Sequence, residues 1–230
     1  MNHERRLILW DIDGTLIRTS GTGRKALEVA AAQIAQLTEV PHVEMSGKTD
    51  PQILRDIFTA ANIAGEHIDT MLPHAMNAAE KALIETEDEL RAGGFVLPGI
   101  RETLERLDAT DGVRQTLLTG NLTANAALKV GAFGLTEFFD IEVGAYGTDH
   151  ADRLELVPIA LERVHRLRGE RYEGDEVWVI GDTPNDLACA RAGGVKCLIV
   201  GDLDRDASAA ADAAFDDLSD VDTVCQLLTS

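Results

Sequence analysis

Apolar positions along this chain follow two different rhythms, and the difference divides it. Leu7-Ile8-Leu9-Trp10, Val177-Trp178-Val179-Ile180 and Val195 to Val200 are short, nearly unbroken apolar runs. Such runs suit strands covered by helices on both faces of a parallel sheet. Val113 to Leu118, Phe139 to Val143 and a short piece at Ala213-Ala214-Phe215 read as further strands. Helical spacing fills the gaps between them: Ile100 to Leu107, Leu122 to about Val130, about Leu156 to Leu167, Pro184 to Ala192 and Val221 to Leu228. Strands alternating with helices of this length predict an α/β fold with a doubly wound parallel sheet.

From about Ser20 to Leu90 only the helical rhythm is present. Leu27, Ala30, Ala31, Ile34 and Leu37 share one stripe, and Ile53, Leu54, Ile57, Phe58 and Ala61 share another. Ile68, Met71, Leu72, Ala75, Met76, Ala79 and Leu83 form a third. The reading is a small helical bundle inserted after the first strand. Its expected edges are the Ser20-Gly21-Thr22-Gly23 hinge and the Ala92-Gly93-Gly94-Phe95 linker. Residues 1–18 and 93–230 then form an α/β core, and residues 19–92 a helical cap. No internal repeat is visible, and the Ala- and Asp-rich stretch Asp206 to Ala214 is too short for low complexity.

Composition sharpens this picture. At 230 residues and 45% hydrophobic, the chain can bury a sizeable core as one large domain or as a core with an insert. A net charge of -19 argues against nucleic acid as partner, and requires a local cationic patch or a metal for any anionic substrate. Most of the 40 acidic residues serve a solvated surface. Cys189, Cys197 and Cys225 lie within apolar patterns and read as buried, reduced thiols. Met1 to Arg6 runs directly into the first strand, and no apolar run approaches the roughly 20 residues that span a bilayer. A cytoplasmic protein without a leader or membrane contact is expected.

The candidate chemistry sits at strand ends, where ligands bind in open α/β sheets. Leu7–Trp10 delivers Asp11 and Asp13, followed by Gly14 at a tight turn. Either these acids merely belong to the turn, or their mutual repulsion is offset by Mg²⁺ while one carboxylate acts as nucleophile. A second end carries Thr119-Gly120-Asn121, which reads as an anion site at a helix start or as simple capping by Asn121. A third carries Gly181-Asp182-Thr183-Pro184-Asn185-Asp186. There Thr183, Pro184 and Asp186 suit the N-cap, N1 and first turn of a helix, whereas Asp182 is left over and can join Asp11 around a metal. In the loop Tyr146 to Leu154, Arg153 is a candidate phosphate clamp or a surface arginine, and His150 is a loop residue.

With these ends in order, the chain resembles the haloacid dehalogenase-like hydrolases, most closely the phosphoglycolate phosphatase-like branch with a helical cap. Asp11-Ile12-Asp13-Gly14-Thr15-Leu16 fits the family's first motif, Thr119 the second, and Gly181-Asp182 with Asp186 the fourth. Arg153 stands where the third motif usually has lysine. The resemblance implies a Rossmann-like core and a small phosphorylated metabolite as substrate, in a monomer or homodimer. Asp11 would form an aspartyl-phosphate, and Asp13 would protonate the leaving oxygen and then activate water. Mg²⁺ would be held by Asp11, the Asp13 backbone carbonyl and Asp182, with Asp186 in support. Thr119, Gly120, Asn121 and Arg153 would hold the phosphoryl group. The presence of Asp13 favours phosphoryl transfer over carbon–halogen cleavage.

In the insert, Ser46-Gly47-Lys48-Thr49-Asp50-Pro51 stands out. Asp50 and Pro51 suit the N-cap and N1 of a helix, and Lys48 either reaches the leaving group or is a surface lysine. Two alternatives remain open: a phosphomutase with the same site, and a non-enzymatic phosphoacceptor switch. Gly21-Thr22-Gly23-Arg24-Lys25-Ala26 matches a dinucleotide fingerprint, but it does not directly follow the first strand and is read as hinge.

Overall fold

The computed structural model describes residues 5–201 and 209–230. Met1 to Glu4 and the first part of the Asp206–Ala214 stretch lie outside the described residues. In chain order, β1 (Arg6–Trp10) and the short β2 (Ile17–Arg18) precede α1 (Thr22–Ala35), α2 (Asp50–Ala60), α3 (Gly65–Glu85) and α4 (Glu87–Gly93). Then come β3 (Phe95–Val96), α5 (Ile100–Asp108), β4 (Val113–Thr119), α6 (Thr123–Ala132), β5 (Ala145–Tyr146) and α7 (Leu156–Arg168). β6 (Val177–Gly181), α8 (Pro184–Gly193), β7 (Lys196–Val200), β8 (Ala213–Phe215) and α9 (Val221–Thr229) follow.

The large sheet runs β5-β4-β1-β6-β7-β8, with every pairing parallel. β1 is central because all five of its residues are buried and both its edges are paired. Alternation along the strands sends Ile8, Trp10, Leu117, Trp178 and Ile180 to one face, where they meet α5, α6 and α9. Leu7, Leu9, Leu118, Val177 and Val179 go to the other face, under α7 and α8. The doubly wound sheet expected from the apolar runs is therefore present. From β1 the chain builds outward on one side through β4 and β5, then returns to the other through β6. The strand order reverses beside β1, which is where such sheets leave a crevice.

The helical stretch packs on itself. Leu27, Ala30 and Ala31 of α1 meet Ile53, Leu54, Ile57 and Phe58 of α2 and Ile68, Ala75 and Ala79 of α3. These residues fall on the stripes read from the sequence. Leu122, from the turn after β4, inserts into the same cluster and ties it to the sheet layer. The chain passes between the two layers through β2 and β3, paired antiparallel with Ile17 opposite Val96 and Arg18 opposite Phe95.

Two local expectations need correction. Phe139 to Val143 is not a strand: Phe139 follows a 3-10 turn, and Ile141 and Glu142 lie in a turn. Asp140 does meet β4: its N–H donates to the Gln115 carbonyl, and its own carbonyl accepts from the Thr116 hydroxyl. The pairing strand is β5, two residues further on. The second concerns α2, whose N-cap is Thr49, accepting from the Gln52 N–H at 3.3 Å, so Asp50 and Pro51 already lie inside the helix. That shift frees the Asp50 carboxylate for another partner.

Candidate active site

Register puts the chemistry in one place. Trp10 pairs with Leu117 on one side and Ile180 on the other, so the three strands end level. Asp11, Thr119 and Asp182 then emerge side by side at the reversal of strand order. The Asp11 N–H extends the ladder by one bond, to Ile180 O at 2.9 Å. Gly14 turns the chain at φ +90°, and a methyl group there would fall on the Asp182 carboxylate. A glycine is required at that position twice over, for its φ and for the space.

One side of the site is a knot of acids around a single cation. Asp11, Asp182 and Asp186 each bring a carboxylate oxygen within 4.8 Å of the other two. Asp186 is fully buried, and its Oδ2 accepts from the Thr183 N–H at 3.0 Å and hydroxyl at 2.7 Å. This is the capping arrangement expected of α8. Arg153 is also buried and bridges two carboxylates, ion-pairing with Asp11 Oδ1 at 3.1 Å and donating to Asp186 Oδ1. It is no surface arginine. Its guanidinium is largely committed to protein acids, while its buried Nε has no partner. Burial raises the Asp11 carboxyl to about 6, with Arg153 opposing and the charges of Asp186 and Asp13 adding to the rise. Burial and the charges of Asp11 and Asp186 push Asp182 further, to about 8. One guanidinium does not neutralise three carboxylates. A divalent cation among these oxygens would remove the excess, so the donor set fits Mg²⁺.

The other side is already balanced. Asp13 Oδ2 accepts from Asn121 Nδ2 at 2.8 Å and from Lys129 Nζ at 2.5 Å. Lys129 also donates to Asn121 Oδ1 at 2.6 Å, and Asn121 Nδ2 reaches Thr119 Oγ1 at 2.8 Å. Burial alone would raise Asp13, but Lys129 and Asn121 outweigh it and hold the carboxyl below its usual range. Asn121 therefore does not cap α6. Three amides of this turn have side-chain partners: Asn121 N–H meets Thr119 Oγ1, Leu122 N–H meets Asp50 Oδ2 at 2.8 Å, and Thr123 N–H meets Thr148 Oγ1.

Lys129 and Asp50 did not emerge from the sequence as site residues. A signal for Lys129 was present, since Leu122, Ala126 and Lys129 fall on one helical stripe and place a lysine on the apolar face. Asp50 had none, because its partner lies 72 residues away. Burial raises Asp50 to about 6, against the pull of Lys129.

The segment between α1 and α2 closes over these groups. Asp50 N–H donates to Gly120 O at 2.7 Å, Thr49 Oγ1 to Ala151 O at 2.6 Å, and Asn185 Nδ2 to Ser46 O at 3.2 Å. A side chain on Gly120 would strike the Lys48 carbonyl, and one on Gly47, at φ +66°, would crowd Thr183 and Asn185. The Lys48 ammonium lies on Asp56 at 2.7 Å, although Lys48 still lines the enclosed space. That space is a cavity of about 500 Å³, bounded by Asp11, Asp13, Asp182, Thr119 and Arg153 below and by Arg18, Arg24 and Lys48 above. His150 is exposed and bonds only within its own loop. All three cysteines are buried and free.

The sequence model of the haloacid dehalogenase-like hydrolases matches residues 8–191, which include every acid described above except those of the C-terminal segment. The chain belongs to the haloacid dehalogenase-like hydrolases. Among members of that family, it is 26% identical over 220 residues to a phosphoglycolate phosphatase of Rhodospirillum rubrum, covering 93% of this chain and 88% of that protein. Phosphoglycolate phosphatase 1 of Pseudomonas aeruginosa is 26% identical over 193 residues, or 84% of this chain and 68% of that protein. The crystal structure of CbbY from Rhodobacter sphaeroides in complex with phosphate shares the fold. It superposes with a TM-score of 0.69 at 18% identity, over 94% of this chain and 96% of that one. Within the described residues, no helix is long and apolar enough to cross a membrane.

Proposed function

We propose that this hydrolase is a Mg²⁺-dependent phosphatase that cleaves a small phosphomonoester through an aspartyl-phosphate on Asp11. The observation that carries the reading is the opposite environment of two carboxylates one residue apart. Asp11 is gripped by Arg153 beside an under-neutralised acid cluster, whereas Asp13 opens to the cavity with its side chain 40% exposed. One is placed to be a held nucleophile and the other to exchange a proton with a substrate. The 26% identity to phosphoglycolate phosphatases supports the same class, with phosphoglycolate as the first compound to try.

In this mechanism an Asp11 oxygen attacks phosphorus in line while the ester P–O bond breaks. Asp13 gives a proton to the departing oxygen, then takes one from the water that hydrolyses the Asp11 acyl phosphate. Asp11, Asp182 and the Asp13 backbone carbonyl would hold Mg²⁺, with Asp186 behind them. The ion would supply charge neutralisation for the nucleophile and the phosphoryl oxygens. Thr119, Gly120 and Asn121, with the free Nε of Arg153, would face the phosphoryl group. Residues 19–92 would act as the cap over residues 1–18 and 93–230, excluding water until the substrate is seated. A cavity of about 500 Å³ suits a small metabolite.

The test is a panel of small phosphomonoesters with Mg²⁺, scoring free phosphate and, in parallel, isomerised sugar phosphate. Released phosphate supports the proposal. Isomer without phosphate would make the protein a mutase, and a stable phosphoprotein without turnover would make it a switch.

A further inference from the structure

Five cationic side chains border the cavity, and four of them are already held by the protein. Arg153 lies on Asp11 and Asp186, Lys129 on Asp13, Lys48 on Asp56, and Arg24 on Glu28 and the Val43 carbonyl. Arg18 is the fifth. Among the described residues it has neither a hydrogen bond nor an ion pair, although acidic residues outnumber basic ones 40 to 21 along the chain. Its cross-strand neighbour is Phe95. Of the six phenylalanines, Phe95 alone is exposed, at 53%, and no cation of the described residues lies over its ring.

The ribbon of β2 and β3 explains why the two stand together. Ile17 and Val96 pair and pack into the core under the sheet. Side chains alternate along a strand, so the next pair, Arg18 and Phe95, turns away from that core, and residues directly opposite share one face. The ribbon is firmly seated. Leu97 N–H donates to Leu16 O at 3.0 Å, and a side chain on Gly94 would strike the Phe133 ring and the Arg18 carbonyl. Arg18 and Phe95 are thus held on the wall of the cavity whose floor carries Asp11. An arginine alone would suit a second anion, and a phenylalanine alone any apolar group. An open aromatic face beside a free planar fork of donors suits a flat ring with acceptor atoms on its edge, and a nucleobase is such a ring. The volume agrees, since about 500 Å³ falls within the range of roughly 300–1,000 Å³ that encloses drug-sized ligands.

We propose that the cavity takes a nucleoside 5′-monophosphate, with its phosphoryl group at Asp11, its base stacked on Phe95 and Arg18 donating to the base edge. This rests on the phosphatase reading and names the substrate class of the same site; the products are a nucleoside and phosphate. A single nucleotide carries its charge on one phosphoryl group, which the cations at the cavity floor can meet. A nucleic acid strand would instead face the net charge of -19.

The experiment measures phosphate release, with Mg²⁺ present, from guanosine 5′-monophosphate, adenosine 5′-monophosphate, ribose 5-phosphate and phosphoglycolate. Ribose 5-phosphate keeps the ester and lacks the base. Both nucleotides are expected to exceed it, and phosphoglycolate, by about tenfold or more in kcat/KM. Phe95→Ala should lower the ratio of nucleotide to ribose 5-phosphate by about tenfold, chiefly through KM, and Phe95→Trp should keep the wild-type ratio. Arg18→Gln should lower it by about threefold to tenfold, more for guanosine 5′-monophosphate, because guanine turns two acceptors to one edge. Ribose 5-phosphate or phosphoglycolate turned over as well as the nucleotides would overturn the proposal, and so would a ratio unmoved in both Phe95→Ala and Arg18→Gln. A preference for phosphoglycolate, weakened by Arg18→Gln but not by Phe95→Ala, would also reject it and make Arg18 the partner of a second anion. Release from none of the four, nor from p-nitrophenyl phosphate, would instead defeat the phosphatase reading.

Discussion

Two carboxylate groups flank the end of β1, and the chain treats them oppositely. Asp11, Asp182 and Asp186 share Arg153, and the group with the least compensation, Asp182, is pushed up to about 8. Asp13 accepts from both Lys129 and Asn121 and is held below the ordinary carboxylate range. The first set is an under-neutralised cluster whose donor atoms would suit a cation from solution. The second is closed by the protein's own cation. In the proposed mechanism, the protein supplies its own cation where a proton would move and leaves charge uncompensated where a metal would bind.

The sharpest way to break this contrast is Asp11→Asn. Turnover is expected to fall by more than about 1,000-fold, since the amide is no nucleophile. The fold should survive, because the change removes one charge from an overcrowded set. A phosphate-release assay with circular dichroism checks both, and retained activity would move the nucleophile elsewhere.

Removing the metal tests the under-neutralised cluster directly. Chelation should abolish turnover, with recovery on adding Mg²⁺. Its signature in stability depends on pH. Asp182 is raised from 3.8 unfolded to about 8 folded, so below about pH 4 both states hold the proton and nothing is lost. Between pH 4 and 8 the folded protein keeps a proton that the unfolded chain has released, and stability falls as pH rises. Asp11 and Asp50, each at about 6, act in the same direction, while Asp13, held below 3.8, stays ionised in both states across this range. The metal-free protein should therefore lose Tm from pH 5 to pH 8, and Mg²⁺ should raise Tm more at pH 8 than at pH 5. A flat profile without metal would mean that the cluster is compensated some other way.

A smaller effect is expected where the helical layer meets the balanced set. Asp50→Ala removes the acceptor of the Leu122 N–H and leaves that buried amide unsatisfied, a cost of about 1–3 kcal/mol. The loss should appear chiefly as a rise in KM of about tenfold, with Asp50→Asn recovering most of it through its side-chain carbonyl. Equal KM values for Asp50→Ala and the wild type would show that the seating of α2 does not limit binding.

The same contrast marks what the sequence could disclose. The acid-rich set was legible because each member sits beside its own strand: Asp11 after Leu7–Trp10, Asp182 after Val177–Ile180, and Asp186 three residues past its cap. Apolar runs locate strand ends, and parallel strands bring those ends together. Arg153 was visible as a cation but not as the partner of Asp11 and Asp186, because its loop carries no periodicity to fix where the side chain goes. The balanced set was harder. Its bonds join α6 to the β1 loop across 116 residues and α2 to the turn before α6 across 72, and no local pattern encodes such pairs. Phe139 to Val143 misled for a related reason. Apolar and extended, it lies against β4 at Asp140, but a turn ends the pairing before a strand can form.

Lys48 gives the smallest and most discriminating test, because it borders both sets without belonging to either. Its backbone is fixed against Gly120, whereas its ammonium is tied to Asp56 at 2.7 Å, with the two side chains 26% and 35% exposed. A pair so open to water contributes about 0–1 kcal/mol, so it neither anchors the lysine firmly nor stabilises the fold much. If the seat of this segment comes from its backbone, Lys48→Ala should change Tm and kcat little and raise KM by no more than about threefold. If the ammonium instead leaves Asp56 for the substrate's leaving group, KM should rise well beyond that, and Asp56→Asn should lower it by freeing the lysine. The two variants move KM in opposite directions only in the second case, which separates a side chain that reads the substrate from one that merely borders its cavity.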